Sequence, residues 1–221
     1  MSEHEFEPVR GLPERLPVGE RILWQGTPDW RSLAVRAFHA RKLALYFAIL
    51  LVGRAATVVW GGDSPAQAAI AVLWLLPVAA AAVGLVGVVA WMMARAAVYT
   101  ITDRRVVMRI GVVLEVTFNL PFRVIESAGV RVFDDGTGDI ALVLAGHDRI
   151  AYAHLWPHVR PWRLARTEPM LRTVPHAAEV ADILARALAG EAGVAARTVP
   201  GAANDARNSG AEPQPLAAAL H

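Results

Sequence analysis

Several kinds of chemistry have a candidate in this chain, and each is tested by what the neighbouring residues supply. Ser127, in Ile125-Glu126-Ser127-Ala128-Gly129, lacks the glycine two positions earlier that lets a nucleophile elbow turn sharply. His154 and His158 have the spacing of zinc ligands on one helical face, but Pro157 stands between them in a segment leaving a strand. Asp134-Asp135-Gly136-Thr137-Gly138-Asp139 begins like a calcium loop, then offers no glycine at the sharp-turn position and no closing glutamate. Gly136-Thr137-Gly138 has no helix after it to hold a phosphate, so it reads as a hairpin tip. His39 has the chemistry to ligate a pigment magnesium or a haem iron, yet its place among basic residues at a membrane edge is that of an interfacial histidine. The absence of cysteine removes disulfides, thiolate nucleophiles, Cys-ligated zinc and iron–sulfur clusters together. The expectation is a protein with no catalytic residues, no cofactor and no metal site.

The elements that would hold any site are organised around residues 43–93. A first apolar run covers 43–60 and is interrupted only by Arg54. Gly61-Gly62-Asp63-Ser64-Pro65 breaks it, and a second run, 66–93, contains no charge at all. About 20 apolar residues cross the ~30 Å hydrocarbon core of a bilayer as a helix, so the pattern predicts a two-span hairpin. Two helices buried inside a soluble protein would be the plainer alternative. Arg31, Arg36, Arg41 and Lys42 precede the hairpin, Arg95, Arg104 and Arg105 follow it, and the connecting turn carries only Asp63. Positive charge stays inside, so both termini are expected in the cytoplasm. Arg54 reads either as snorkelling outward, with Asp63 as counter-charge, or as a functional intramembrane arginine. Ala80, Gly84 and Gly87 give the second helix a small surface, for its own partner in the hairpin or for another membrane helix.

A net charge of +2 gives no argument for nucleic acid, and all but one of the 22 basic residues are arginine. Glu3, Glu5 and Glu7 have the wrong sign for a basic n-region, so no cleavable signal peptide is expected. Residues 1–28 read as a polar N-terminal segment, with a short strand-like centre in Gly19-Glu20-Arg21-Ile22-Leu23-Trp24-Gln25-Gly26. Over 29–42, Trp30, Leu33, Ala34, Ala37 and Phe38 share a helical face that the arginines mostly avoid. This predicts a basic amphipathic helix on the inner membrane surface, or the cytoplasmic end of the first span.

After Arg95 the period changes from 3.6 to 2. Strands are predicted at 98–102, 106–110, 112–120, 122–133, 140–145, 149–155 and 170–174, the third being the clearest alternation. Turns fall at 134–139 and at Gly146-His147-Asp148. Pro175 then opens an amphipathic helix through Val180, Ile183, Leu184, Ala187 and Leu188, with Gly190 as its stop. Residues 96–190 thus read as a small all-β domain, closed or nearly so, with one helix over its open end; 191–221 is expected to be a disordered tail.

Tyr99-Thr100-Ile101-Thr102-Asp103-Arg104-Arg105-Val106-Val107-Met108-Arg109-Ile110-Gly111 resembles the opening hairpin of bacterial pleckstrin-homology-like (PH-like) domains carried on a two-span anchor. Gly11-Leu12-Pro13-Glu14, Gly19 to Gly26, Thr117-Phe118-Asn119-Leu120-Pro121 and Trp156-Pro157-His158-Val159-Arg160-Pro161-Trp162 are similar to the PuhB family of photosynthetic complex assembly proteins. That resemblance implies a β-sandwich or partly open barrel with a C-terminal helix. It further implies a non-catalytic assembly factor for the photosynthetic reaction centre and core light-harvesting ring, homo-oligomeric, in the inner or intracytoplasmic photosynthetic membrane. Its partners would be reaction-centre and core antenna subunits and membrane lipid. No residue-level site comes with the resemblance. On chemistry, Trp156, His158, Arg160 and Trp162 are nominated as a partner surface, since Trp and Arg are favoured anchors; the alternative is a loop whose tryptophans plug the barrel. Arg36, Arg41, Lys42, Arg95, Arg104 and Arg105 are the expected lipid-facing basic residues. In a second reading, Arg104, Arg105 and Arg109 make the β domain a sensor of anionic lipid.

Overall fold

The computed structural model describes residues 11–12, 14, 16–145, 151–163 and 167–198. In order the chain forms β1 (Ile22–Gly26), α1 (Trp30–Arg36), α2 (Ala40–Trp60), α3 (Pro65–Ala96), β2 (Val98–Thr102), β3 (Arg105–Ile110) and β4 (Val116–Pro121). Then come a 3-10 turn (Phe122–Val124), β5 (Ile125–Val132), β6 (Gly138–Leu144), α4 (Tyr152–Leu155), β7 (Met170–Val174) and α5 (Ala177–Thr198).

The two apolar runs form the antiparallel pair α2 and α3. At 1.5 Å per residue, 21 and 32 residues extend about 31 and 48 Å, so each is long and apolar enough to cross a membrane. The turn between them is built by its sequence. Gly62 takes φ +88°, where a side chain would be strained. Ser64 caps α3 by accepting from Gln67 N–H, Gln67 Oε1 accepts Ser64 N–H at 2.9 Å, and Pro65 occupies the first turn. Pro77 does not interrupt α3. Only 6% of the most apolar stretch of each helix is buried, the reverse of a core helix in a soluble protein. Arg54 lies on the exposed surface, and among the described residues no ion pair joins it to Asp63.

The β domain consists of two antiparallel sheets, ordered β1-β2-β3-β4 and β5-β6-β7. Tyr99, Ile101, Val106, Met108 and Leu120 of the first sheet meet Ile125, Ile140, Leu142 and Leu171 of the second in one core. Ala177, Val180 and Leu184 of α5 close it. This is the PH-like arrangement expected from the sequence: two sheets, no closed barrel and a covering C-terminal helix.

Several elements differ from the sequence expectation. The polar N-terminal segment supplies β1, an edge strand paired with β2 through Gln25 and Thr100 and through Gly26 and Tyr99. The strand expected at 112–120 begins only at Val116, because Gly111 at φ +113° turns the chain out of the sheet. Tyr152–Leu155 is a helical turn and not strand. Helix α5 passes Gly190 and continues to Thr198. The expected turn at 146–148, the start of the run at 149, and the segments 1–10 and 199–221 lie outside the described residues. The helix expected over 29–42 is seven residues long and stops at Arg36, with Ala37 as its C-cap and His39 at φ +55° before α2 begins. Its apolar Leu33 and Ala34 are buried against α3 and the β domain, not laid on lipid. Ala90, Ala94 and Ala97 of the α3 exit are buried as well, so the hairpin and the domain share one packed joint.

The N-terminal segment is held by charge. Arg105 at the start of β3 grips buried Glu20 through both nitrogens, Nε–H to Oε1 at 2.8 Å and Nη2–H to Oε2 at 3.0 Å. Arg105→Ala leaves a buried carboxylate unpaired, and a loss of about 3 kcal/mol is expected in denaturant unfolding of the full chain in detergent. A paired Glu20→Leu, Arg105→Leu variant should lose much less, since both charges go together. Equal losses would show that the pairing is not what matters.

Candidate functional site

The elbow between α1 and α2 carries the most distinctive surface. Phe38 projects from it and meets Trp156 edge-on, ring centroids 5.5 Å apart and planes at 88°. Trp156 directly follows α4, and its bond to Pro157 is cis. The following residues return toward β7: Arg160 N–H donates to Glu168 O at 3.0 Å and Met170 N–H to His158 O at 3.0 Å. At the tip of that return Trp162 is 93% exposed and holds φ +66°, a left-handed conformation unusual for a bulky residue. Together Arg36, His39, Tyr152, Trp156, Trp162 and Arg172 line a cleft of about 350 Å³ beside the first turn of α2.

The nominated cluster divides. Trp156 is half exposed and Trp162 almost fully so, so neither plugs the domain. Arg160 remains at the surface, with its Nη1–H donating to Glu168 at 2.8 Å. His158 must be removed from the partner surface: it is 2% exposed and belongs to the interior. Its Nδ1 lies 2.5 Å from the hydroxyl of fully buried Tyr99, which in turn accepts Arg172 N–H at 3.2 Å. Nδ1 is the acceptor within reach of the phenolic proton among the described residues, which assigns the imidazole as neutral with its hydrogen on Nε2. Burial, and then the Arg172 guanidinium, lower the His158 pKa to about 3; burial raises that of Tyr99. His154 is exposed, so the two histidines are not brought to one site.

The acidic turn has a structural task. Asp135 accepts from the Thr137 hydroxyl at 2.6 Å, from Ser32 at 3.0 Å and from Arg36 at 3.1 Å, tying the β5–β6 turn to α1. The Thr137 hydrogen bond first, then those from Arg36 and Ser32, hold its carboxyl below the usual range. The Arg36 guanidinium also lies 3.6 Å over the Phe133 ring. Arg172 donates to Pro157 O at 3.3 Å and faces Asp139 at 3.8 Å. The Nε–H groups of Arg36 and Arg172 are buried, with no hydrogen-bond partner among the described residues. The cleft thus presents aromatic faces with cationic groups behind them, an arrangement for holding an apolar or anionic segment. Among the described residues no three His, Cys, Asp or Glu side chains converge as a metal site would need.

The expected lipid-facing basic residues also divide. Arg41 and Lys42 are exposed on the first turn of α2, and Arg95 is exposed at the end of α3 over Trp91. Arg36 is committed to Asp135. The β2–β3 hairpin carries Arg104 and Arg105 to the end of β2 opposite the α3 exit, and Arg105 is bound to Glu20. The sequence reading missed Phe38, Tyr99 and Arg172. The only signal for them is position, since a tyrosine in a strand and an arginine in a strand carry no functional mark.

A two-sheet domain with a C-terminal helix, mounted on an apolar hairpin, defines a PH-like module on a helical stalk. Residues 45–188 match the bacterial PH domain family, and the chain belongs to that family. It is also 44% identical over 193 residues to an uncharacterized 23.7 kDa protein in the puhA 5' region of Rhodobacter capsulatus, covering 85% of this chain and 89% of that protein. No solved structure matches.

Proposed function

We propose that this chain is a non-catalytic, multi-pass membrane assembly factor for the photosynthetic reaction centre and its core light-harvesting complex. In this reading α2 and α3 span the intracytoplasmic membrane, both termini are cytoplasmic, and the PH-like domain receives client subunits at the membrane face. The observation that carries it is the elbow cleft, with exposed Trp156 and Trp162 beside the start of α2, where a client helix would leave the bilayer. The hairpin offers a second surface. Apart from α3's own adjacent backbone, nothing among the described residues lies within 4 Å of where a Cβ on Gly84 or Gly87 would sit, so α2 does not fill that small-residue face. The relative named for the puhA 5' region supports the photosynthetic setting. A homo-oligomer fits the same scheme. The lipid-sensor alternative is weakened, because two of its three arginines lie away from the α3 exit.

The test is a deletion strain grown under photosynthetic induction. Reaction-centre and core antenna absorption should fall severalfold and return with the full-length gene, while respiratory growth and other membrane proteins are unchanged. Normal pigment–protein levels in the deletion strain would refute the function.

A further inference from the structure

We infer that the β3–β4 turn, Val112-Val113-Leu114, dips into the cytoplasmic interface of the bilayer crossed by α2 and α3. This rests on the reading of those helices as spans. The three side chains are 38%, 90% and 81% exposed, and outside the hairpin they form the only run of three consecutive exposed large apolar residues among those described. Such runs are unusual at a turn facing water.

Their position identifies what covers them. Helix α3 ends at Ala96 and β2 starts at Val98, so Val98 marks the exit from the hairpin. Val98 pairs with Arg109, and β3 also packs against α3. The chain then continues past that level: Ile110 pairs with Val116, so the loop 111–115 lies wholly beyond the Val98–Arg109 pair along the strand direction. The two turns of this meander have opposite character. At the far end of β2 the turn is Asp103-Arg104; at the α3 end it is apolar. The tip is also a built shape. Gly111 takes φ +113°, where a Cβ would collide with the Leu114 carbonyl, and an Arg109–Glu115 ion pair closes the neck. Charged groups at the neck and aliphatic groups at the tip are the order in which a bilayer presents headgroups and acyl chains.

The chain has no cysteine, so a single introduced thiol is a unique label site. Val113→Cys, Ile49→Cys within α2 and Arg104→Cys at the far turn are each labelled with an environment-sensitive fluorophore on the full-length protein in phosphatidylcholine vesicles. At 113 the expected result is blue-shifted emission, quenching by lipids with a nitroxide near the headgroup, and severalfold weaker iodide quenching than at 104. At 49, quenching by a deep nitroxide reports the span itself. Lipid contact at 49 with an aqueous label at 113 would overturn the inference and leave the spans standing. A label at 113 shielded from iodide yet untouched by nitroxide lipid would assign the tip to a protein surface and overturn it too. An aqueous label at 49 would sink the spanning reading with it.

Discussion

Acidification from pH 6.5 to 4.5 is expected to cost the folded β domain about 2–3 kcal/mol through His158 alone. The imidazole is neutral in the fold, with a pKa lowered to about 3 by burial and by Arg172, while in the unfolded chain it titrates near 6.5. Below 6.5 the unfolded state therefore binds a proton that the folded state refuses. Stability is full above that pH and falls by about 1.4 kcal/mol per unit as pH drops toward 3. The window is separable from the carboxylates: Asp135 is held below the usual range, so its own loss begins in the normal carboxylate region and continues to lower pH. Denaturant unfolding of the detergent-solubilised chain, measured across this range, reads the slope. His158→Asn keeps an acceptor for the Tyr99 hydroxyl and has nothing to titrate, so its profile should be flatter between pH 6.5 and 4.5. A wild-type profile flat over that interval would show that the imidazole is not held neutral. Tyr99→Phe is the companion variant. It strips the partner from Arg172 N–H and from Nδ1 together, and about 1–3 kcal/mol should be lost at neutral pH.

What the sequence made legible follows from which forces are local. The hairpin was readable because a charge-free run at 66–93 has few competing explanations, and β3 because Val106, Met108 and Ile110 alternate there with Val107 and Arg109. β1 was seen as a strand but not as part of the sheet, since its partner β2 lies more than 70 residues away and register over that distance leaves no local mark. Alternation also misled: Val112 and Leu114 continue the pattern of β4, yet Gly111 removes them from the sheet. Residue type could not tell the buried His158 from the exposed Trp162 four positions on, because both lie in one proline-bounded loop. Arg104 and Arg105 were assigned to lipid by nearness in sequence to Arg95. Four residues of strand beyond Val98 put the turn roughly 15 Å along the sheet from the exit, a separation that nearness in sequence does not show.

Replacing both Trp156 and Trp162 by alanine should abolish most client capture while leaving the fold nearly intact. Buried aromatic anchors at interfaces are commonly worth about 2 kcal/mol each, so the pair corresponds to a loss of binding well beyond tenfold. The cost to the free protein is small by comparison. Trp162 is 93% exposed and touches little, and Trp156 loses mainly the edge contact with Phe38, worth about 0.5–1.5 kcal/mol. Trp162 also holds φ +66°, so Trp162→Gly relieves a conformation that a large side chain opposes and should melt no earlier than wild type. A tryptophan kept outside the core, in a backbone region that disfavours it, gives the fold no stability to explain its presence. Quantitative pull-downs of the tagged full-length chain from photosynthetically induced membranes, with melting curves alongside, separate the two roles. Capture at wild-type levels by the double variant would remove the cleft from the interface. A large drop in melting temperature would return both tryptophans to the structural role that their exposure now argues against.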